Sequence, residues 1–179
     1  LKLFVDSWRW QGVPFYLRSG KALAKKATEI VIEFRRPPHL MFKQTRASQS
    51  QFQPNALSLC IQPDEGIHLS FETKVPDTGG ELHPADLEFH YEDSFKGAPL
   101  PEAYERLLMD AMLGDAALFT RSDEIELSWT LIDSVLRHQL DIVGLPVRSY
   151  PRGSWGPADA DARLSRDGRA WRLGCLHEA

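Results

Sequence analysis

The chain has 179 residues, 42% hydrophobic, 26% charged and 10% aromatic, with a formal net charge of −4. This is the balance of one globular domain with apolar material for a core, and it excludes wholesale disorder. No apolar run approaches about 18 residues, which excludes a conventional membrane-spanning helix.

The opening Leu-Lys-Leu-Phe-Val-Asp alternates like a strand, without an initiator Met and without the basic flank and long apolar core of a signal peptide. The chain is therefore expected to begin inside an element, as a fragment. Trp8-Arg9-Trp10-Gln11-Gly12 is too aromatic to be expected in free solvent. Residues 13–18 are apolar, and Pro14 predicts a strand start or an edge. Residues 27–34 form a β-branched strand stopped by Arg35-Arg36-Pro37-Pro38. Residues 44–55 are polar and aperiodic, a loop.

Residues 56–61 predict a further strand, 62–66 a turn, and 67–75 a strand of near-perfect alternation. Ile67, Leu69 and Phe71 share one face, and His68, Ser70 and Glu72 the other. Residues 76–80 read as a turn and 87–91 as a short strand. Pro101 stands at the first position of a helix that runs to Gly114, with Tyr104, Leu107, Leu108, Ala111 and Met112 as a core stripe. Ser122 can cap a second helix, with Asp123 and Glu124 in its first turn and Ile125, Trp129, Ile132 and Leu136 on its apolar face. A third short helix begins at Pro157. Strands followed by helices predict an α+β fold over residues 1–179: a large, mainly antiparallel sheet packed on one face by helices. The other face needs cover, from further chain or from a partner sheet.

Charge is uneven. Residues 1–48 hold ten Lys/Arg against three acids, a balance of +7, and the remainder balances at −11. A nucleic-acid protein would more usually be positive overall, whereas a basic cluster in an acidic chain suits a small anion. The cluster is densest in Arg18-Ser19-Gly20-Lys21-Ala22-Leu23-Ala24-Lys25-Lys26. If Ser19-Gly20 turns, Lys21 and Lys26 can flank an anion such as a sugar phosphate, supported by Arg18. A solvated surface loop is the plainer alternative. Gln62, beside Pro63, can offer an amide to a ligand hydroxyl or simply stabilise its turn.

Other chemistries lack their residues. The segment lacks the P-loop's upstream glycines and its hydroxyl after the lysine, and no Gly-x-Gly is present for a dinucleotide. There is no Gly-x-Ser-x-Gly. His83 and His90 around Glu88 make no metal set, and Glu105, Arg106 and Asp110 suit surface pairing. Cys60 and Cys175 belong to no CxxC and predict no disulfide framework, so a reducing, cytoplasmic setting is the expectation.

An ordered set of segments resembles the C-terminal domain of the glucose-6-phosphate dehydrogenase family. It comprises Asp6–Leu23, Thr28–Phe34 with Pro37-Pro38-His39, Ile61–Ile67, Pro101–Leu108, Leu113-Gly114-Asp115, Phe119–Ile125, Trp129 and Gly153–Pro157. The resemblance implies an NADP-dependent oxidoreductase of the pentose phosphate pathway, which oxidises glucose 6-phosphate to 6-phosphogluconolactone. It implies substrate contacts from Lys21, Lys26 and Gln62, with Arg18 in support. It further implies a cytoplasmic homodimer formed through the sheet, without nucleic-acid or membrane partners. The family's Rossmann coenzyme domain and catalytic histidine precede this region, so no residue here is expected to be catalytic. In the vertebrate branch, basic residues hold a structural NADP against the sheet. Ala27, Val31 and Cys60 stand at those positions, so no such NADP is expected here and a bacterial source is. A non-catalytic dimerisation domain is the alternative.

Overall fold

The computed structural model describes residues 1–38, 53–78, 81–95, 103–141 and 147–175. Residues 44–52 of the predicted 44–55 loop, His39, the glycines at 79 and 80, and Pro101 at the predicted helix start lie outside the described residues. Two compact units are present, Leu1–Ser94 with Ser149–Ala179, and Phe95–Arg148.

In the first unit, β1 (Lys2–Phe4) pairs antiparallel with β2 (Pro14–Tyr16), with Phe4 opposite Pro14. Proline opens its strand, where a missing N–H costs the ladder least. The connection between them is closed by its own bonds, Ser7 N to Val5 O, Trp10 N to Ser7 O and Val13 N to Trp10 O. Trp10 meets Phe15 edge-on at 5.3 Å, but Trp8 is 99% exposed, contrary to expectation, because so tight a connection gives it no neighbour in this unit.

The main sheet among the described residues is β3 (Thr28–Glu33), β4 (Ala56–Gln62), β5 (Gly66–Lys74) and β6 (Leu82–His90), in that order and antiparallel throughout. Strand β6 is longer than the predicted 87–91 and contains Pro84, which the outermost position in this order tolerates. A one-turn helix, α1 (Tyr91–Ser94), follows it.

Register sorts the sheet into two chemically opposite faces. Ile30, Leu59, Ile67 and Phe89 align across the four strands, and Ile32, Leu57, Leu69 and Leu87 make the next row. Val31, Ser58, His68 and Glu88 align on the reverse. The polar face is the covered one: His68 is 4% exposed, its neighbour Ile67 40%.

The cover is the segment after α4 (Ala158–Arg166). The backbone N–H groups of Gly174 and Cys175 both donate to one oxygen of the Glu29 carboxylate at 3.1 Å, and the Gly174 carbonyl lies 2.9 Å from His68 Nδ1. A side chain at Gly174 would collide with Ser58. Arg172 donates to the Pro54 carbonyl and, with Arg169, faces Glu33. Cys60 and Cys175 are joined as a disulfide, which overturns the expectation that they make no disulfide framework and removes the cysteine argument for a reducing setting. Their 115-residue separation hides the partnership from spacing rules.

In the second unit, α2 (Ala103–Leu113) and α3 (Ser122–Asp141) occupy the predicted positions. The first α3 bond runs from Ile125 N to the Arg121 carbonyl, so the cap position falls on Arg121, one residue before the predicted Ser122. Tyr104, Leu108 and Met112 are exposed rather than core. The buried residue of that helix is Asp110, held by Arg106 one turn earlier at 3.0 Å. Period sets the helix; it does not say which side finds cover. Among the described residues no helix is long and apolar enough to cross a membrane.

Candidate functional site

Past β2 the chain enters the basic loop, residues 18–26, which has no regular secondary structure. Its course is set by a distant segment. Tyr150 Oη donates to the Lys21 carbonyl at 2.8 Å, Gly153 N donates to the Ala22 carbonyl at 2.9 Å, and Ala24 N donates to the Ser154 carbonyl at 3.0 Å. Ala22 takes φ +52°, a left-handed conformation that costs a non-glycine residue and persists where its surroundings hold it. At Gly20 a Cβ would lie 2.8 Å from the Tyr150 hydroxyl oxygen and 3.2 Å from Leu23 Cδ2, so the turn takes its shape around a missing side chain.

Arg18, at the start of the same loop, meets two tryptophans. Its guanidinium lies 4.7 Å from the Trp155 ring centroid and 4.4 Å from that of Trp171, within cation–π range of both. Burial lowers its pKa, with Asp161 and Glu29 acting in the opposite direction, yet an arginine stays charged near neutrality. Trp171 belongs to the segment that covers the sheet, so Arg18 joins the loop to that cover.

Lys21 and Lys26 are both exposed on this anchored loop, Lys26 two residues before β3. Gln62 is the last residue of β4 and pairs in register with Thr28. The ladder thus brings Gln62 to the sheet end where the basic loop enters, close in register to Lys26; Lys21 is placed by the 150–154 contacts. The Gln62–Pro63 peptide is cis, and the chain turns there through Asp64 and Glu65, both exposed. Two exposed cations and one amide can engage an anionic, hydroxylated ligand through charge-assisted and neutral hydrogen bonds. They supply no hydroxyl or thiol, and among the described residues no group of three or more His, Cys, Asp or Glu is placed to hold a metal.

No local pattern marks Tyr150 or Trp171, or ties Trp155 to the basic loop. Gly153–Pro157 carries part of the family resemblance, but nothing in its spacing relates it to residue 21, 129 positions from Tyr150.

A four-stranded antiparallel sheet, helices and a clamped basic loop among the described residues define the class as an α+β domain. The family model described as glucose-6-phosphate dehydrogenase, C-terminal domain, matches residues 1–172, and the chain belongs to that family. It is 45% identical over 172 residues to glucose-6-phosphate 1-dehydrogenase of Chlamydia pneumoniae, covering 96% of this chain and 33% of that protein. To the Mycolicibacterium smegmatis protein of the same name it is 43% identical over 174 residues, covering 97% and 34%. Among solved structures, glucose-6-phosphate 1-dehydrogenase from Mycobacterium avium aligns with TM-score 0.74 and 34% identity, over 99% of this chain and 35% of that one. A glucose-6-phosphate dehydrogenase in complex with its substrate glucose 6-phosphate aligns with TM-score 0.81 and 34% identity, over 96% and 34%. The chain spans about a third of the length of these relatives.

Proposed function

We propose that this chain is the substrate-binding and dimerisation part of an NADP-dependent glucose-6-phosphate dehydrogenase. That enzyme oxidises D-glucose 6-phosphate to 6-phospho-D-glucono-1,5-lactone at the entry to the pentose phosphate pathway, in the cytoplasm. Lys21 and Lys26 hold the sugar phosphate, Gln62 hydrogen-bonds the sugar side, and Arg18 supports the loop from between its two indoles. The observation that carries this function is the anchoring of residues 21–24, which fixes the backbone from which a flexible lysine reaches. Pre-organisation of this kind lowers the ordering cost of binding.

In the complete enzyme NADP would supply the hydride acceptor, and the residues of this chain do not fit a dinucleotide of their own. Ala27 and Val31 offer no charge, Cys60 is tied to Cys175, and the cavity beside Val31 is lined by Asp86 and Glu88 as well as Arg172. Carboxylates at that cavity oppose a phosphate. The work of this chain is therefore to position the sugar. Proton removal and hydride acceptance belong to groups outside these 179 residues, and the chain by itself is expected to reduce no NADP.

Calorimetric titration with glucose 6-phosphate tests the binding role. Wild type should bind weakly and Lys21→Ala about tenfold or more weaker, as for loss of a charge-assisted bond of roughly 1.5–3 kcal/mol. Equal binding by the two proteins would overturn it. The two partly exposed apolar rows of the sheet favour a second role, self-association, and a chain that dimerises while its titration stays flat would be a structural domain only.

A further inference from the structure

We infer that Tyr150 is a positioning residue for glucose 6-phosphate, acting through the main chain of Lys21. The inference rests on the substrate role of Lys21 proposed above. Lysine presents a compact charge on a long, freely rotating stem, so the place its ammonium can reach is limited chiefly by where its backbone is held. Here the backbone is held at Lys21 itself, by the Tyr150 hydroxyl donating to its carbonyl at 2.8 Å.

Three further observations make this bond more than a stray surface contact. Gly20 leaves room for that hydroxyl, since a Cβ there would stand 2.8 Å from the Tyr150 oxygen. Ala22, the next residue, is left-handed and has its carbonyl bonded by Gly153. Ser154 then accepts from Ala24. The clamp thus begins at the residue proposed to meet the phosphate, and Tyr150 supplies its one side-chain donor among the bonds described. Removing that donor leaves the fold's apolar contacts intact while letting the Lys21 peptide rotate. Binding should weaken through the entropy of ordering the loop.

Tyr150→Phe keeps the ring and deletes the donor. Titrated with glucose 6-phosphate, this variant should bind about fivefold more weakly than wild type, the worth of one ordinary hydrogen bond. The double variant Lys21→Ala/Tyr150→Phe should bind no more weakly than Lys21→Ala alone, because the tyrosine acts only through that lysine. A merely structural tyrosine would weaken both backgrounds equally. Gly20→Ala provides an independent approach: its methyl displaces the hydroxyl and should cost a similar factor, and combining it with Tyr150→Phe should add nothing. Wild-type affinity in Tyr150→Phe, or additive losses in the Lys21→Ala background, overturns the inference and leaves the substrate role standing. A flat wild-type titration, or unchanged binding in Lys21→Ala, overturns both.

Discussion

At the scale of single residues, Asp167 gathers three parts of the first unit. It caps the C-terminal end of α4, accepts from Lys2 Nζ of β1 at 2.8 Å and accepts from Tyr16 Oη of β2 at 2.7 Å. Hydrogen bonds from Lys2 and Tyr16 hold its carboxyl pKa below the ordinary value, while the Asp167 hydrogen bond raises Lys2. Burial, then the bond to Asp167, raises Tyr16. A lowered carboxyl pKa contributes stability above the ordinary carboxylate range and loses it as pH falls through the folded value. The raised Lys2 and Tyr16 contribute below their ordinary values near 10 and lose their contribution as pH climbs through the folded ones. Thermal midpoint should therefore be level from about pH 5 to 9 and fall at both ends. Asp167→Asn should flatten the acid limb; an acid limb identical to wild type would remove Asp167 as its source. Arg18 illustrates a different residue-level point. Its charge lies against two indoles, so it ties the loop to them, and the anion contact is proposed for the exposed Lys21 and Lys26 instead.

At the scale of elements, the segment 171–175 works as a strap. Trp171 reaches Arg18, Arg172 reaches the Pro54 carbonyl, Glu29 of β3 takes two backbone N–H groups, and Cys175 is bonded to β4. Closing a loop of 115 residues restricts the unfolded chain strongly, and a bond of that span is worth about 2–5 kcal/mol. Cys175→Ser should lower the denaturant midpoint accordingly, and reduction of wild type should reproduce the shift; no change in either would mean that the polar contacts alone secure the strap. Because Cys60 lies two residues from Gln62, the same variant reports whether the strap also steadies the candidate site.

At the scale of the whole molecule, the two apolar rows crossing β3 to β6 leave Ile30, Ile32, Ile67, Leu87 and Phe89 exposed, while Leu57, Leu59 and Leu69 are half-buried. Leu87 is 60% exposed within these rows. A second copy of the same sheet would bury these rows in a two-fold contact, in line with the homodimer proposed for the chain. Light scattering should find a dimer for wild type and a monomer for Leu87→Glu, with fold retained because Leu87 contributes little to the core of one copy. A monomeric wild type would reject the sheet as the interface. Asp110 shows the same inversion in the second unit: it is buried while Tyr104, Leu108 and Met112 of its helix are not.

Period-two alternation was sufficient to place β3, β4 and β5, and a 3.6-residue stripe to place α2 and α3, because both depend on near neighbours in the chain. The basic loop, and Lys21 within it, was visible as local composition and as an ordered family likeness. Pro84 concealed the first half of β6, since proline is a local argument against a strand that only an outer position removes. Tertiary structure decided what long separations conceal: that Cys60 meets Cys175, that Tyr150 holds Lys21, and that the polar face carrying His68 is the covered one. The length of 179 residues and the surplus of positive charge near the start pointed to one α+β domain with an anion-sized patch. Which residues shape that patch was settled by chain closure over more than a hundred residues, where the free energy of contact depends on the whole fold and not on any local run of sequence.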